Sequence, residues 1–180
     1  MIVKETPLAD LLILEPTVFG DERGYFFESF RASILEDRGV HIRFIQDNES
    51  KSSKGVVRGL HLQAPPHGQD KLLRVVKGAI YDVAVDVRKD SDTYGKAYGI
   101  ELNESNKTML FVPKGFAHGF CCLEDDTIVQ YKCSNYYHKA SEMGIAWNDP
   151  SIGIEWPVKD PIVSEKDEIL PLLKDFDSPF

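Results

Sequence analysis

Between residues 79 and 88, Ala79, Tyr81, Val83, Val85 and Val87 alternate with Ile80, Asp82, Ala84, Asp86 and Arg88. A period of two puts successive side chains on opposite sides of an extended chain, so this segment reads as a strand with two unlike faces. Runs rich in β-branched and aromatic residues at 25–30, 43–48, 56–63, 71–77, 97–102, 108–112 and 127–134 predict further strands. Gly, Pro, Asn and Asp punctuate nearly every gap between them. Many short strands with little helix between them predict a mainly β chain, an antiparallel sandwich or barrel rather than a parallel α/β sheet. Two short flanking helices are expected. One follows Phe30 and stops at Gly39, a residue suited to a left-handed C-cap. The other opens at Ser164, where Ser164 and Asp167 have capping-box spacing, and Pro171 limits its length.

With 180 residues, no repeat and no low-complexity linker, the chain is expected to be one domain spanning 1–180. It is long enough to bury a core without staples. The 21 basic and 29 acidic residues give a net charge of −8, which argues against nucleic acid or a membrane surface as partner, since both attract a positive field. A local basic pocket remains compatible with that balance. Cys121, Cys122 and Cys133 form an odd set without C-x-x-C spacing, so they read as buried reduced thiols. The apolar run at 11–14 is too brief for a signal peptide or a membrane span, and a cytoplasmic location is the expectation.

Chemistry concentrates in five places. The first is Arg58-Gly59-Leu60-His61-Leu62-Gln63, followed by Gln69, Lys71 and Arg74. On an extended backbone His61 and Gln63 share a face, while Leu60 and Leu62 point the other way into a packed layer. His61 would then line the interior between sheets, either as a catalyst or as a satisfied structural histidine. The second is Pro113-Lys114-Gly115-Phe116-Ala117-His118-Gly119, which reads as a tight turn leaving His118 beside the mouth of a barrel. Its P-x-G-x-x-H pattern resembles the second motif of the cupins, a jelly-roll class that often binds metal. The companion H-x-H is incomplete, with Gln63 at its second position and His67 only later, in a Pro-rich loop. An open catalytic metal site needs three well-placed ligands, so no metal is expected.

The third place is Tyr131-Lys132-Cys133-Ser134-Asn135-Tyr136-Tyr137. Strand aromatics are usually core, but Tyr131 could share an inward face with Val129 and Cys133, while Tyr136 and Tyr137 near the strand end could stack on a base. The fourth, Asp21-Glu22-Arg23-Gly24-Tyr25-Phe26-Phe27-Glu28, begins as a turn whose Arg23 could reach a phosphate with a bidentate guanidinium. The fifth is Gln46-Asp47-Asn48, amide and acid groups able to hold hydroxyls.

Together these motifs, in this order, closely resemble the dTDP-4-dehydrorhamnose 3,5-epimerase family over roughly residues 18–167: D-E-R-G-Y-F-F-E, Q-D-N, R-G-L-H-L-Q, G-A-I-Y-D-V-A-V-D-V-R, P-K-G-F-A-H-G-F, Y-K-C-S-N-Y-Y and S-E-K-D. The resemblance implies a cupin-like antiparallel jelly-roll barrel, a homodimer, no metal or other cofactor, and a dTDP-linked 4-keto-6-deoxyglucose as substrate. Position by position, it implies that His61 is the general base, Tyr131 the acid on the opposite face of the sugar, Asp167 the partner of His61, and Lys71 the cation near the C4 oxygen. Arg23, Glu28, Gln46, Asp47, Asn48, Arg58, His118, Glu142 and Lys166 match its substrate-binding positions, and Phe26 and Tyr136 match the aromatics flanking the thymine. The run His138-Lys139-Ala140-Ser141 departs from the family's usual Ser-Pro turn ahead of Glu142. Three rival readings stay open at this level: an epimerase acting at C3 or C5 alone, a metal-dependent cupin enzyme with His61 and His118 as ligands, and a non-catalytic sugar-nucleotide binder.

Overall fold

The computed structural model describes all 180 residues. Thirteen strands form: β1 Ile2–Glu5, β2 Leu12–Glu15, β3 Val18–Asp21, β4 Gly24–Phe27, β5 Gln46–Ser52, β6 Val57–Gln63, β7 Lys71–Lys77, β8 Ala79–Asp86, β9 Ala97–Asn103, β10 Met109–Val112, β11 Phe116–Cys122, β12 Thr127–Cys133 and β13 Glu142–Gly144. Six of them make one antiparallel sheet in the order β1-β2-β10-β7-β12-β5, and five make a second in the order β13-β6-β11-β8-β9. The hairpin β3-β4 stands apart as its own two-stranded sheet. The two large sheets face each other across one apolar cluster, to which the first contributes Ile13, Leu73, Leu110 and Val129 and the second Ile80, Ala84, Phe116 and Phe120.

Each sheet is also covered on its outer side, which explains why so few strands show a clean polar face. Leu60, Leu62, Val83, Val85 and Val87 on the back of the second sheet pack against Ile145, Phe176 and the carboxy-terminal segment around Trp156 and Phe180. Leu12, Leu14, Leu72, Met109 and Phe111 on the back of the first pack beneath Leu35, Phe30 and Phe44. Strand β8 therefore has two unlike faces, as its alternation implies. Val83 and Val85 meet the outer cover, while Ile80 and Ala84 meet the other sheet.

The two helices are short. Helix α1 covers Ala32–Glu36 and gives way to Gly39, whose φ of +77° lets the chain turn and Val40 N–H close on Leu35 O at 3.0 Å. Helix α2 covers Glu165–Glu168, capped by the Ser164 hydroxyl, which accepts from Asp167 N–H at 3.2 Å. No helix is long and apolar enough to cross a membrane.

One expectation is overturned here. The segment carrying His118 is a turn only as far as Gly115, where φ is +87°, and residues Phe116–Cys122 form β11, buried along its whole length. Gly119 sits in this strand because its neighbour comes close. A Cβ there would lie 2.5 Å from the Arg58 carbonyl oxygen, and one on Gly59 would lie 2.7 Å from His118 O. Paired glycines thus let β6 and β11 approach, in a register that sets His61 opposite His118.

Candidate functional site

His61 projects from β6 of the second sheet, whereas Lys71 on β7 and Tyr131 on β12 project from the first. All three line a cavity of about 500 Å³ between the sheets, together with Arg58, His118, Lys166 and Asp167. The same three also line an adjoining space of about 560 Å³ bounded by Gln46, Asp47, Asn48, Gln63, Gln69, Tyr137 and Glu142. An imidazole, an ammonium and a phenol therefore occupy the junction of two connected chambers. Opposite sheets supply the imidazole and the phenol, so a flat ring lodged between them would present one face to each.

Asp167 is 4% exposed, and its Oδ1 lies 2.5 Å from His61 Nε2 while its Oδ2 accepts from Gly59 N–H at 3.1 Å. Burial pushes this carboxyl's pKa up, but the hydrogen bonds from His61 and Gly59 outweigh that and hold it below the usual carboxylate range. An ionised carboxylate can only accept, so His61 Nε2 carries a proton, and in the neutral imidazole the lone pair is then on Nδ1. The helix cap and the site share this residue. The Asp167 backbone bonds to Ser164, and its carboxylate, which a full capping box would return to the helix start, goes to His61 instead.

The facing wall is tuned by burial. Lys71 keeps only partial contact with the cavity, and desolvation lowers its pKa against the opposing pull of Cys133, Asp82 and Glu142. Desolvation raises the pKa of Tyr131, helped by Cys133 and opposed by Asn48 and Arg58, so the phenol stays protonated at neutral pH. Arg58 is steadied by Ser52, whose hydroxyl accepts from Nε at 3.0 Å. His118 forms a second imidazole–carboxylate pair, Nε2 to Asp82 Oδ1 at 2.9 Å, and the other Asp82 oxygen is buried without a partner.

Around the second chamber, Gln46 Nε2 donates to Asn48 Oδ1 at 3.0 Å, and Gln46 Oε1 accepts from Tyr137 N–H at 3.0 Å. Asp47 points away to an ion pair with Lys132 at 3.1 Å, although its edge still bounds the chamber. Glu142 pairs with Lys166 and accepts from Tyr137 Oη at 3.0 Å. Burial pushes the Glu142 carboxyl up, and these two bonds carry it below its ordinary pKa.

The structure thus brings together His61, Tyr131, Asp167, Lys71, Gln46, Asp47, Asn48, Arg58, His118, Glu142 and Lys166. It leaves out four others. Arg23, in an ion pair with Asp21, and Phe26, 70% exposed, belong to the β3-β4 hairpin and line neither chamber, and Glu28 follows directly after it. Tyr136 is exposed outside both chambers, and its neighbour Tyr137 takes the lining position. Gln63 and Gln69, named with the His61 segment but given no role of their own, join the site, as does Asp82 through His118. Gln63 shares His61's strand parity and Asp82 shares that of Ile80 and Ala84, which was the available signal.

Comparison with known proteins adds identity to this geometry. A family model described as dTDP-4-dehydrorhamnose 3,5-epimerase matches residues 5–175. A dTDP-4-dehydrorhamnose 3,5-epimerase of Shigella flexneri is 54% identical over 168 residues, 93% of each chain. The crystal structure of an enzyme of that name from Elizabethkingia anophelis superimposes with a TM-score of 0.93 at 49% identity, over 97% of both chains. A dTDP-6-deoxy-D-glucose-3,5-epimerase from Legionella pneumophila, solved in complex with dTDP-4-keto-L-rhamnose, gives 0.94 at 44% identity, over 98% of this chain and 94% of that one.

Proposed function

Because the chain belongs to the dTDP-4-dehydrorhamnose 3,5-epimerase family and is an isomerase of sugar nucleotides, we propose that His61 and Tyr131 are its catalytic base and acid. The observation that carries this reading is their approach to one cavity from opposite sheets. A ketone at C4 acidifies the hydrogens on C3 and C5, because the charge left by either proton delocalises onto the ketone oxygen. Inversion needs removal on one face and delivery on the other, which one group cannot do alone.

His61 Nδ1 takes the proton, and the Asp167 carboxylate favours the imidazolium that results. The enolate oxygen gathers charge beside the Lys71 ammonium, which supplies the stabilisation that an oxyanion hole supplies elsewhere. Tyr131 then protonates the carbon from the far side and regains a proton from solvent, while His61 releases the one it took. The substrate is dTDP-4-dehydro-6-deoxy-D-glucose, inverted at C3 and C5 to dTDP-4-dehydro-L-rhamnose. Arg58, His118 and Lys166, with Gln46, Asn48 and Glu142, hold the diphosphate and hydroxyls, so binding energy remote from the reacting carbons orients the sugar. With the C4 ketone supplying acidity and Lys71 supplying positive charge, the reaction calls for no metal or cofactor.

The whole chain works as one domain in the cytoplasm and as a homodimer. Support for the second copy comes from the hairpin: Val18, Phe19, Tyr25 and Phe26 are exposed on it, and Arg23, Phe26 and Glu28 line neither chamber of their own subunit. The partner would offer these residues to the nucleotide, Phe26 stacking on the base and Arg23 reaching phosphate. The deciding experiment follows deuterium from heavy water into C3 and C5 of the 4-keto sugar by proton NMR. Wild-type enzyme incorporates label at both carbons and His61→Ala at neither; wild-type rates in the variant would remove His61 as the base.

A further inference from the structure

His67 and His138 have no part in the chemistry above, yet their rings stack with centroids 3.9 Å apart and planes 10° from parallel. Both turn Nδ1 to one hydroxyl, Ser141 Oγ lying 2.9 Å from His67 Nδ1 and 3.1 Å from His138 Nδ1. A single O–H donates to only one acceptor, so when both rings are neutral the other imidazole donates its own Nδ1–H to the hydroxyl oxygen. The stack and the shared hydroxyl lock two loops together, the Pro-rich one after β6 and the 3-10 turn Lys139–Ser141.

The main chain continues the connection toward the cavity. Ala64 N–H donates to Ser141 O at 2.7 Å, Ser141 N–H to His138 O at 3.0 Å, and His138 N–H to Gln63 Oε1 at 3.0 Å. The residue after Ser141 is Glu142, which begins β13 and stands opposite Gln63 of β6. Gln63 and Glu142 both line the second chamber. Strand β13 has three residues and lies at the edge of its sheet, so its own ladder bonds hold it weakly. Whatever anchors the preceding turn therefore decides where Glu142 sits.

We propose that His67, His138 and Ser141 form a positioning clamp that sets Gln63 and Glu142 against the bound sugar nucleotide, governing substrate affinity without touching the reacting carbons. This rests on reading the chambers as the substrate site. The test compares His67→Ala, His138→Ala, the double variant and His138→Asn by steady-state epimerisation and by amide hydrogen exchange across residues 138–144. Each single alanine variant should raise KM roughly fivefold, the worth of one lost hydrogen bond, with kcat changed by less than about twofold. The double variant should be no worse than the weaker single, because either removal opens the same clamp. His138→Asn, whose side-chain amide reaches the Nδ1 position, should recover most of the affinity. Unchanged KM, a fall in kcat at constant KM, or independent multiplying effects in the double variant would overturn the clamp. Amide exchange separates the two readings: faster exchange of 138–144 in the alanine variants supports the clamp even if wild-type enzyme failed to epimerise, and unchanged protection counts against it.

Discussion

The Asp167 carboxylate that meets His61 Nε2 at 2.5 Å comes from a four-residue helix 106 positions further along the chain. That contact sets the imidazole's tautomer, with the proton on Nε2 and, in the neutral ring, the lone pair on Nδ1. Replacing Asp167 by Asn keeps the shape but removes the charge that favours imidazolium. Asp167→Asn should lower kcat by roughly 10²- to 10⁴-fold, the range for loss of acid–base assistance, with KM little changed. Steady-state kinetics alongside circular dichroism checks this; near wild-type kcat in a folded variant would reduce Asp167 to a helix cap.

Tyr131 stays a protonated phenol because burial raises its pKa, so removing its hydroxyl should abolish delivery rather than abstraction. In Tyr131→Phe the His61 base still removes protons and returns them on the same face. Solvent deuterium should enter C3 or C5 while inverted product falls by roughly 10²-fold or more. Product formation at the wild-type rate would exclude Tyr131 as the acid.

How far these groups were legible in the sequence depended on what each strand buries. The run 71–77 coincides with β7, because Leu72, Leu73 and Val75 are apolar residues in a strand covered on both sides. The segment at 43–48 was displaced: the strand begins at Gln46, and the apolar residues before it close over the outer face, Phe44 meeting Phe30 edge-on at 5.2 Å. Strand β11 was hidden because its Gly119 signals a turn while serving a close approach of backbones. The pairing of His61 with Asp167 left no trace in local pattern, since Ser164 and Asp167 also satisfy the spacing of a helix cap. Motif order made the resemblance readable, but only coordinates separate Tyr137, which lines the chamber, from Tyr136, which does not.

Lys71 matters as a cation, and its surroundings make that charge easier to lose than in a free lysine, since desolvation lowers its pKa. Activity should therefore fall on the alkaline side before an ordinary lysine would titrate. In Lys71→Met, kcat at neutral pH should drop roughly 10²- to 10³-fold, the usual effect of removing one enolate-stabilising group. Its remaining activity should lack that alkaline limb. A full pH–kcat profile for both proteins checks this, and an alkaline limb that survives the substitution would assign it elsewhere.

Gly119→Ala tests the approach of β6 to β11. The added methyl would lie 2.5 Å from Arg58 O and 3.0 Å from Leu60 Cδ2, so one strand must move. Overpacking of this kind costs about 1–3 kcal/mol. The variant should unfold at lower urea, and it should lose kcat as well, because a shift of either strand disturbs the register that sets His61 opposite His118. Wild-type stability would mean the strands separate freely there.

Asp86 offers a test of stability away from the chemistry. Its carboxylate is fully buried and accepts from Arg88 Nε at 2.9 Å and Nη2 at 2.8 Å, from Ser91 Oγ at 2.6 Å and from Thr93 Oγ1 at 2.7 Å. Burial pushes its pKa up, but these donors, Arg88 foremost, bring it down to about 2. In the unfolded chain an aspartate titrates near pH 3.9, as roughly expected of a free side chain. The folded pKa is the lower one, so the unfolded chain takes up the proton first as pH falls. The contribution is complete above about pH 4 and disappears between there and about pH 2, and the shift corresponds to about 2 kcal/mol. Asp86→Asn lacks the titrating group. Urea unfolding of both proteins at several pH values should therefore show a stability difference that is largest near neutrality and shrinks by about 2 kcal/mol across that acid window. A difference that stays constant with pH would mean that the Asp86 network stabilises through packing rather than through its charge.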